Sequence, residues 1–197
     1  SFSNLGHVAM DKGDHVAAKM YFEQSLAIRR EVGDSYGEAI SLNELGAVAM
    51  IQGNLTLAEA YYRQALTIRL GLNQPYHLVE DWAGLARLKL AQNDPETAWQ
   101  YGQQVLKHLR VNPGLEGAID PLRAFHFIWV VLRELSRREA ANWVLQLAAQ
   151  IMQVYLDKNP DPGLQAMYLR QPHHSALWAG WQDLETLPNN RAANRFL

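Results

Sequence analysis

The sequence predicts an all-α fold, a solenoid of antiparallel helix pairs, from three observations. The first is a repeat. Leu5-Gly6-His7-Val8-Ala9-Met10, Gly13-Asp14, Ala18, Tyr21-Phe22 and Gln24-Ser25-Leu26 return forty residues on as Leu45-Gly46-Ala47-Val48-Ala49-Met50, Gly53-Asn54, Ala58, Tyr61-Tyr62 and Gln64-Ala65-Leu66. A weaker echo stands at Leu85-Ala86, Leu90, Asn93-Asp94, Ala98, Tyr101 and Gln104-Val105-Leu106. A fixed period in this range marks an array of units that each pack on their neighbours. The second observation is the three-four spacing of Ala18, Tyr21, Phe22, Ser25 and Leu26, which gathers them on one helical face. The third is the recurring turn, Gly13-Asp14, Gly53-Asn54 and Asn93-Asp94-Pro95. Each pairs a helix-ending residue with an N-cap for the next helix.

The elements follow in order. Helix one covers about Ser1 to Lys12, and helix two about His15 to Glu31, closed by Gly33. Helix three runs from about Tyr36 to Gln52, with Ala39, Leu42, Leu45, Gly46 and Ala49 inward, and helix four from about Thr56 to Leu70. Helix five starts after Pro75, a residue suited to a first turn, and reaches Ala91. Helix six opens on Pro95 and ends near Leu109. The irregular stretch Arg110 to Pro121, with Pro113, Gly114 and Gly117, shifts the register, since Leu132 and Ala140 answer Leu90 and Ala98 at 42 residues. Helices seven (about Leu122 to Leu135) and eight (about Arg138 to Leu156) make a fourth, degenerate pair. Asn159-Pro160-Asp161-Pro162 breaks the array. Two short capping helices, Gly163 to Arg170 and His173 to Leu184, and a fraying tail from Leu187 to Leu197 follow. The expected division is a repeat array over 1–157, in units of about 1–33, 34–73, 74–115 and 116–157, and a cap over 158–197.

Composition narrows the function classes. At 48% hydrophobic and 19% charged, the chain is not disordered. A net charge of −2 with interspersed signs offers no basic face for direct nucleic-acid binding. The absence of cysteine removes disulfides and thiolate metal sites and suits a cytoplasmic setting. No apolar run is long enough to span a membrane, and no signal-peptide pattern occurs. The opening at Ser1, already inside a repeat, is expected of a piece cut from a longer protein.

The small-residue positions resemble the tetratricopeptide repeat. Gly46 stands where two helices cross, Ala58 and Ala65 where the second helix packs, and Tyr62 fills the gap. Gly6, Ala18 and Phe22 match them one unit earlier, and Ala86 and Ala98 one unit later, with Gly102 replacing the large aromatic. The forty-residue period exceeds the usual 34 of this family and is similar to the repeats of kinesin light chains. It also resembles the sensor ends of bacterial multidomain signalling ATPases of the STAND type and of large transcription regulators. The run Pro75 to Ala86 looks like their last full repeat, and Leu164 to His174 like the segment that often closes them. The resemblance implies a right-handed superhelix of about four pairs, with the first helix of each pair on the concave surface. Carried onto this sequence, it places Ser3, His7, Asn43, Ala47, Glu80, Ala83, Arg87, Phe125 and Trp129 toward the groove, a set that suits a peptide or small ligand but lacks the lysine-rich clamp by which some relatives hold a terminal carboxylate.

No phosphate loop, H-E-x-x-H or G-x-S-x-G motif occurs, so no catalytic residue, cofactor or metal ligand is assigned. His173 and His174, adjacent on a helix, point about 100° apart and read as a helix start after Pro172. Asn54-Leu55-Thr56 fits a glycosylation sequon but reads as the turn. Glu31, Asp34, Glu38 and Glu44 read as scattered carboxylates on solvated faces. Six tryptophans, Trp82, Trp99, Trp129, Trp143, Trp178 and Trp181, lie where the repeat decays. They read chiefly as large rings sealing the end of the solenoid, with Trp129 also among the groove positions. The expected function is a non-enzymatic interaction or sensing module that takes a protein or peptide in the groove. It would be the sensor or scaffold end of a signalling ATPase or regulator, or alternatively a self-contained peptide-binding adaptor. A helical-repeat enzyme has no motif behind it. Self-association, or contact of the groove with other parts of the chain, stays open.

Overall fold

Short polar side chains at the turns set the helix starts. Asp14, Asp34, Asn54, Asp94, Asp120 and Asp161 each accept, at 2.9–3.1 Å, the backbone N–H three residues on. Each thereby satisfies a donor that the first helical turn leaves unpaired. The structure, a computed structural model, describes residues 1–72, 77–115 and 120–186. The described helices are α1 (Phe2–Asp11), α2 (His15–Glu31), α3 (Ser35–Ile51), α4 (Leu55–Gly71), α5 (Leu78–Ala91), α6 (Pro95–Leu109), α7 (Pro121–Glu134), α8 (Arg138–Lys158), α9 (Pro162–Arg170) and α10 (Pro172–Thr186). Helix limits expected from sequence agree within two residues wherever they fall on described residues. The expected start after Pro75, Gly117 and the tail from Leu187 lie outside them.

Gly13 and Gly53 adopt φ +74° and Gly33 +72°, the left-handed conformation that ends a helix without a Cβ clash. Asn93 (+60°) and Ser136 (+57°) hold the same conformation at the corresponding turns of the later units.

The packing is that of an α-solenoid. Phe22 and Tyr62, both almost wholly buried, project from α2 and α4 onto the glycines of the inner helices. A Cβ on Gly6 would collide with the Phe22 ring, and one on Gly46 would stand 2.9 Å from that of Tyr62. Tyr62 also fills the space over Gly84 of α5, where a Cβ would come within 2.6 Å of the same ring. One aromatic thus sets two helix crossings, with Ala58 and Ala65 beside it fully buried. At Gly102 the size relation reverses: the large partner is Ile128 of α7, whose Cδ1 lies 3.4 Å from where a Cβ would be.

Beyond α6 the stacking tightens around α7, which packs on α5, α6, α8 and α10. Nine of its fourteen residues are buried. Trp129 is buried in this part of the core, and the other five tryptophans pack partly buried against it. Glu44 corrects the sequence reading: it is buried, because α5 and α7 close over the face of α3 that an isolated helix pair would leave in water.

Candidate functional site

The inner helices α1, α3, α5 and α7 form one wall of a cleft of about 290 Å³. His7, Met10 and Asp11 come from α1, His15 from the start of α2, and Glu44, Ala47 and Ile51 from α3. Arg87 comes from α5, and Asp120, Arg123 and Phe127 from the start and body of α7. The opposite wall is the joint between α9 and α10, Gln171 to His174, which crosses the groove toward α1.

Under this cleft lies a continuous polar network, built from a device that the repeat uses twice. Arg29, at the end of α2, donates through Nη1 to the Gly37 carbonyl and, at 3.0 Å, to the Ser41 hydroxyl. Forty residues later Arg69 does the same, donating to the His77 carbonyl at 2.7 Å and meeting Asp81 Oδ1 at 3.0 Å. Ser41 and Asp81 are equivalent positions, so the second repeat converts a neutral staple into an ion pair. Arg69 Nη2 also lies 3.3 Å from Glu80 Oε2. From Asp81 the network passes to α3, where Asn43 Nδ2 donates to Asp81 Oδ1 at 2.7 Å. It reaches α7 where Arg123 donates to Asn43 Oδ1 at 3.2 Å and, through two parallel bonds, to both oxygens of Glu44. The Asp120 N–H closes the circuit on Glu80 Oε1 at 2.9 Å.

Arg69, Arg123, Glu44, Glu80 and Asp81 are all buried, two cations against three carboxylates. Such groups stay charged only where partners replace water. Burial raises Glu44, but the charge and hydrogen bonds of Arg123 outweigh it and hold the carboxyl below its ordinary range. The third carboxylate bears the mismatch. Burial pushes Asp81 up to about 7 against the pull of Arg69 and Asn43, with Glu80 adding to the rise. Its Oδ2 is buried without a hydrogen-bond partner and is the oxygen free to carry a proton.

The groove positions expected from sequence separate into four groups. His7, Ala47 and Arg87 line the cleft. Asn43 and Glu80 face inward into the network, because α7 covers α3 and α5 there. Ser3 bonds the Ser25 hydroxyl at 2.9 Å, holding α1 to α2. Ala83 and Phe125 are fully enclosed at inner-helix contacts, and Trp129 is covered by α10, where Gly180 fits against its ring. Sequence reasoning missed Arg69, Asp81, Glu44 and Arg123. The forty-residue spacing of Arg29 and Arg69 was the one visible signal.

Histidines gather at the far wall. His173 Nδ1 lies 2.9 Å from His126 Nδ1, so that one ring donates and the other accepts according to tautomer. Burial depresses both to about 4, and Arg87 works in the same direction on each. His174 Nδ1 bonds the Tyr168 carbonyl at 2.8 Å. Among the described residues no three His, Asp or Glu side chains converge as metal ligands would. No described helix is long and apolar enough to cross a membrane.

A family model for the tetratricopeptide repeat matches residues 1–70 and 38–110, together more than half of the chain. No curated protein sequence matches. Among solved structures, the chain is similar to BtubC (BKLC) from P. vanneervenii, with 23% identity and a TM-score of 0.57. That match covers 82% of this chain and 65% of the other, so this chain spans less than two thirds of its length. Two structures of putative kinesin light chain TPR-like repeats from Podosopora anserina, one of them a point variant, match at 20% and 19% identity, each with a TM-score of 0.55. They cover 98% of this chain and 84% and 85% of their own.

Proposed function

The chain belongs to the tetratricopeptide repeat family, and on that premise we propose that its concave cleft receives an anionic group of a protein or peptide partner. Tetratricopeptide repeats generally mediate protein–protein interaction. The observation that carries the reading is Arg87. Arg69 and Arg123 each end on carboxylates, whereas Arg87 lines the cleft half-buried over the Phe127 ring, 4.5 Å from its centroid, with no ion pair among the described residues. Burial lowers its pKa, a cost that an entering carboxylate offsets. His7 and Ala47 line the same cleft.

Screening a peptide array against the full chain tests this reading. Peptides with an Asp, Glu or free carboxyl terminus are expected to bind. Arg87→Met, which keeps the stem on Phe127, is expected to weaken them about ten- to hundred-fold, the worth of a charge-assisted hydrogen bond. Acidic peptides that bind the variant equally well would overturn it.

The wider role we assign is a non-enzymatic sensor or scaffold end of a cytoplasmic bacterial signalling ATPase or regulator, with residues 1–157 as the array and 158–197 as its cap. The segment Leu164 to His174, which resembles the closing segment of such proteins, contributes Gln171 to His174 to the far wall of the cleft, and that supports the reading. A partner would act by binding one state of the parent better than the other. A full-length sequence without a nucleotide-binding loop would leave the alternative, a peptide-binding adaptor.

A further inference from the structure

α9 and α10 hold to the array mainly through half-buried side chains, with Tyr168, Leu169, Ala176, Trp178 and Trp181 packing on the edge of its core. α9 has no buried residue, and α10 has only His174, Leu177 and Leu184. α8, on which α10 sits, buries eight of its own. Elements with so few fully buried side chains open at lower free energy than the body they rest on. The seat itself is well shaped. Gly180 of α10 meets Trp129 so closely that a Cβ would stand 2.7 Å from the ring, with Leu145 of α8 at 3.5 Å. Leu177 and Leu184 flank that glycine on the same face and enter the core formed by α7 and α8.

We propose that α9–α10 is a displaceable segment, and that the seam of α7 and α8 beneath it docks a partner helix of the same pattern. That pattern is a small residue over Trp129 with leucines three residues before and four after it. Gly180, Leu177 and Leu184 meet apolar side chains there, so the seat does not depend on what the cleft binds. Because the α9–α10 joint walls the cleft, capture of such a helix also removes Gln171 to His174 from the groove. The intact chain resists outside helices because its own α10 competes at an effective concentration of about millimolar order.

The experiment uses the full chain and a synthetic peptide of residues 162–186. Gly180→Leu in the chain unseats its own α10, since the leucine cannot pass Trp129. Fluorescence anisotropy of the labelled peptide is expected to show at least about ten-fold tighter binding to the G180L chain than to the unsubstituted one. The peptide carrying the same substitution, a stronger helix former at that position, is expected not to bind. Circular dichroism is expected to show α1 to α8 folded in the variant, and the milder Leu177→Ala chain to fall between the two in affinity. Three results would each overturn the proposal. They are a peptide that binds neither chain, a substituted peptide that binds as well as the original, and an array that melts wherever α10 is unseated.

Discussion

Asp81 shows how one residue turns a repeated staple into a titrating group. Its counterpart Ser41 receives Arg29 without charge, whereas Asp81 receives Arg69 beside Glu80 in a site closed to water. Unfolded, the carboxyl titrates near 3.8; folded, it titrates near 7. Below pH 4 both states hold the proton, so its contribution to stability is fully present. Between about 4 and 7 only the folded state holds it, and stability falls as pH rises through that window. Relative to Asp81→Asn, which cannot titrate, the unsubstituted protein is expected to lose up to about 4 kcal/mol between pH 4 and pH 8. Urea unfolding of both proteins across that range checks this, and parallel curves would refute it. At the neighbouring position, Asn43 was legible from sequence as an inner-helix residue. Its burial was not, since that depends on Arg123 arriving from 80 residues away.

At the scale of elements, the turns carry most of the local information. The glycines at 13, 33 and 53 hold positive φ at successive turns, and Asn93 and Ser136 take over that conformation later in the chain. For a residue with a Cβ the left-handed conformation costs roughly 1–2 kcal/mol. Ser136 is exposed, so Ser136→Gly relieves strain without altering packing. It is expected to raise stability by about 1 kcal/mol, and Gly53→Ala to lower it by a similar amount. Thermal melts of the two variants should move in opposite directions. The helices themselves were readable because capping side chains and apolar spacing act within one turn of the chain. Less readable was α3, buried from Ser41 through Ala49 although its sequence mixes Asn43 and Glu44 among the apolar residues.

Across the whole molecule, the pairing of Arg123 with Glu44 departs from the nearest-neighbour pattern of a solenoid. It joins α7 to α3 over 79 residues and ties the degenerate end of the array to its most regular repeat. Leaving either charge alone in that interior is costly, whereas replacing both with apolar groups is often neutral. Glu44→Leu is accordingly expected to lose about 3–5 kcal/mol, and Glu44→Leu with Arg123→Met to recover most of it. A double variant no more stable than the single one, measured by urea unfolding, would show that the pair contributes more than mutual neutralisation.

By itself the sequence determined the all-α class, the pairing of helices and the small residues at their crossings. Those features follow from local periodicity and from contacts repeated at a constant separation. Tertiary structure alone decided which inner-helix residues face the cleft. His7, Ala47 and Arg87 reach it, while Asn43 and Glu80 turn into the polar network and Trp129 lies under α10. The reason is physical. Which face of an inner helix stays in water depends on elements outside its own repeat, here α7 and the α9–α10 joint. Their approach is set by single contacts such as Arg123 on Glu44 and Gly180 on Trp129, which no repeat period encodes.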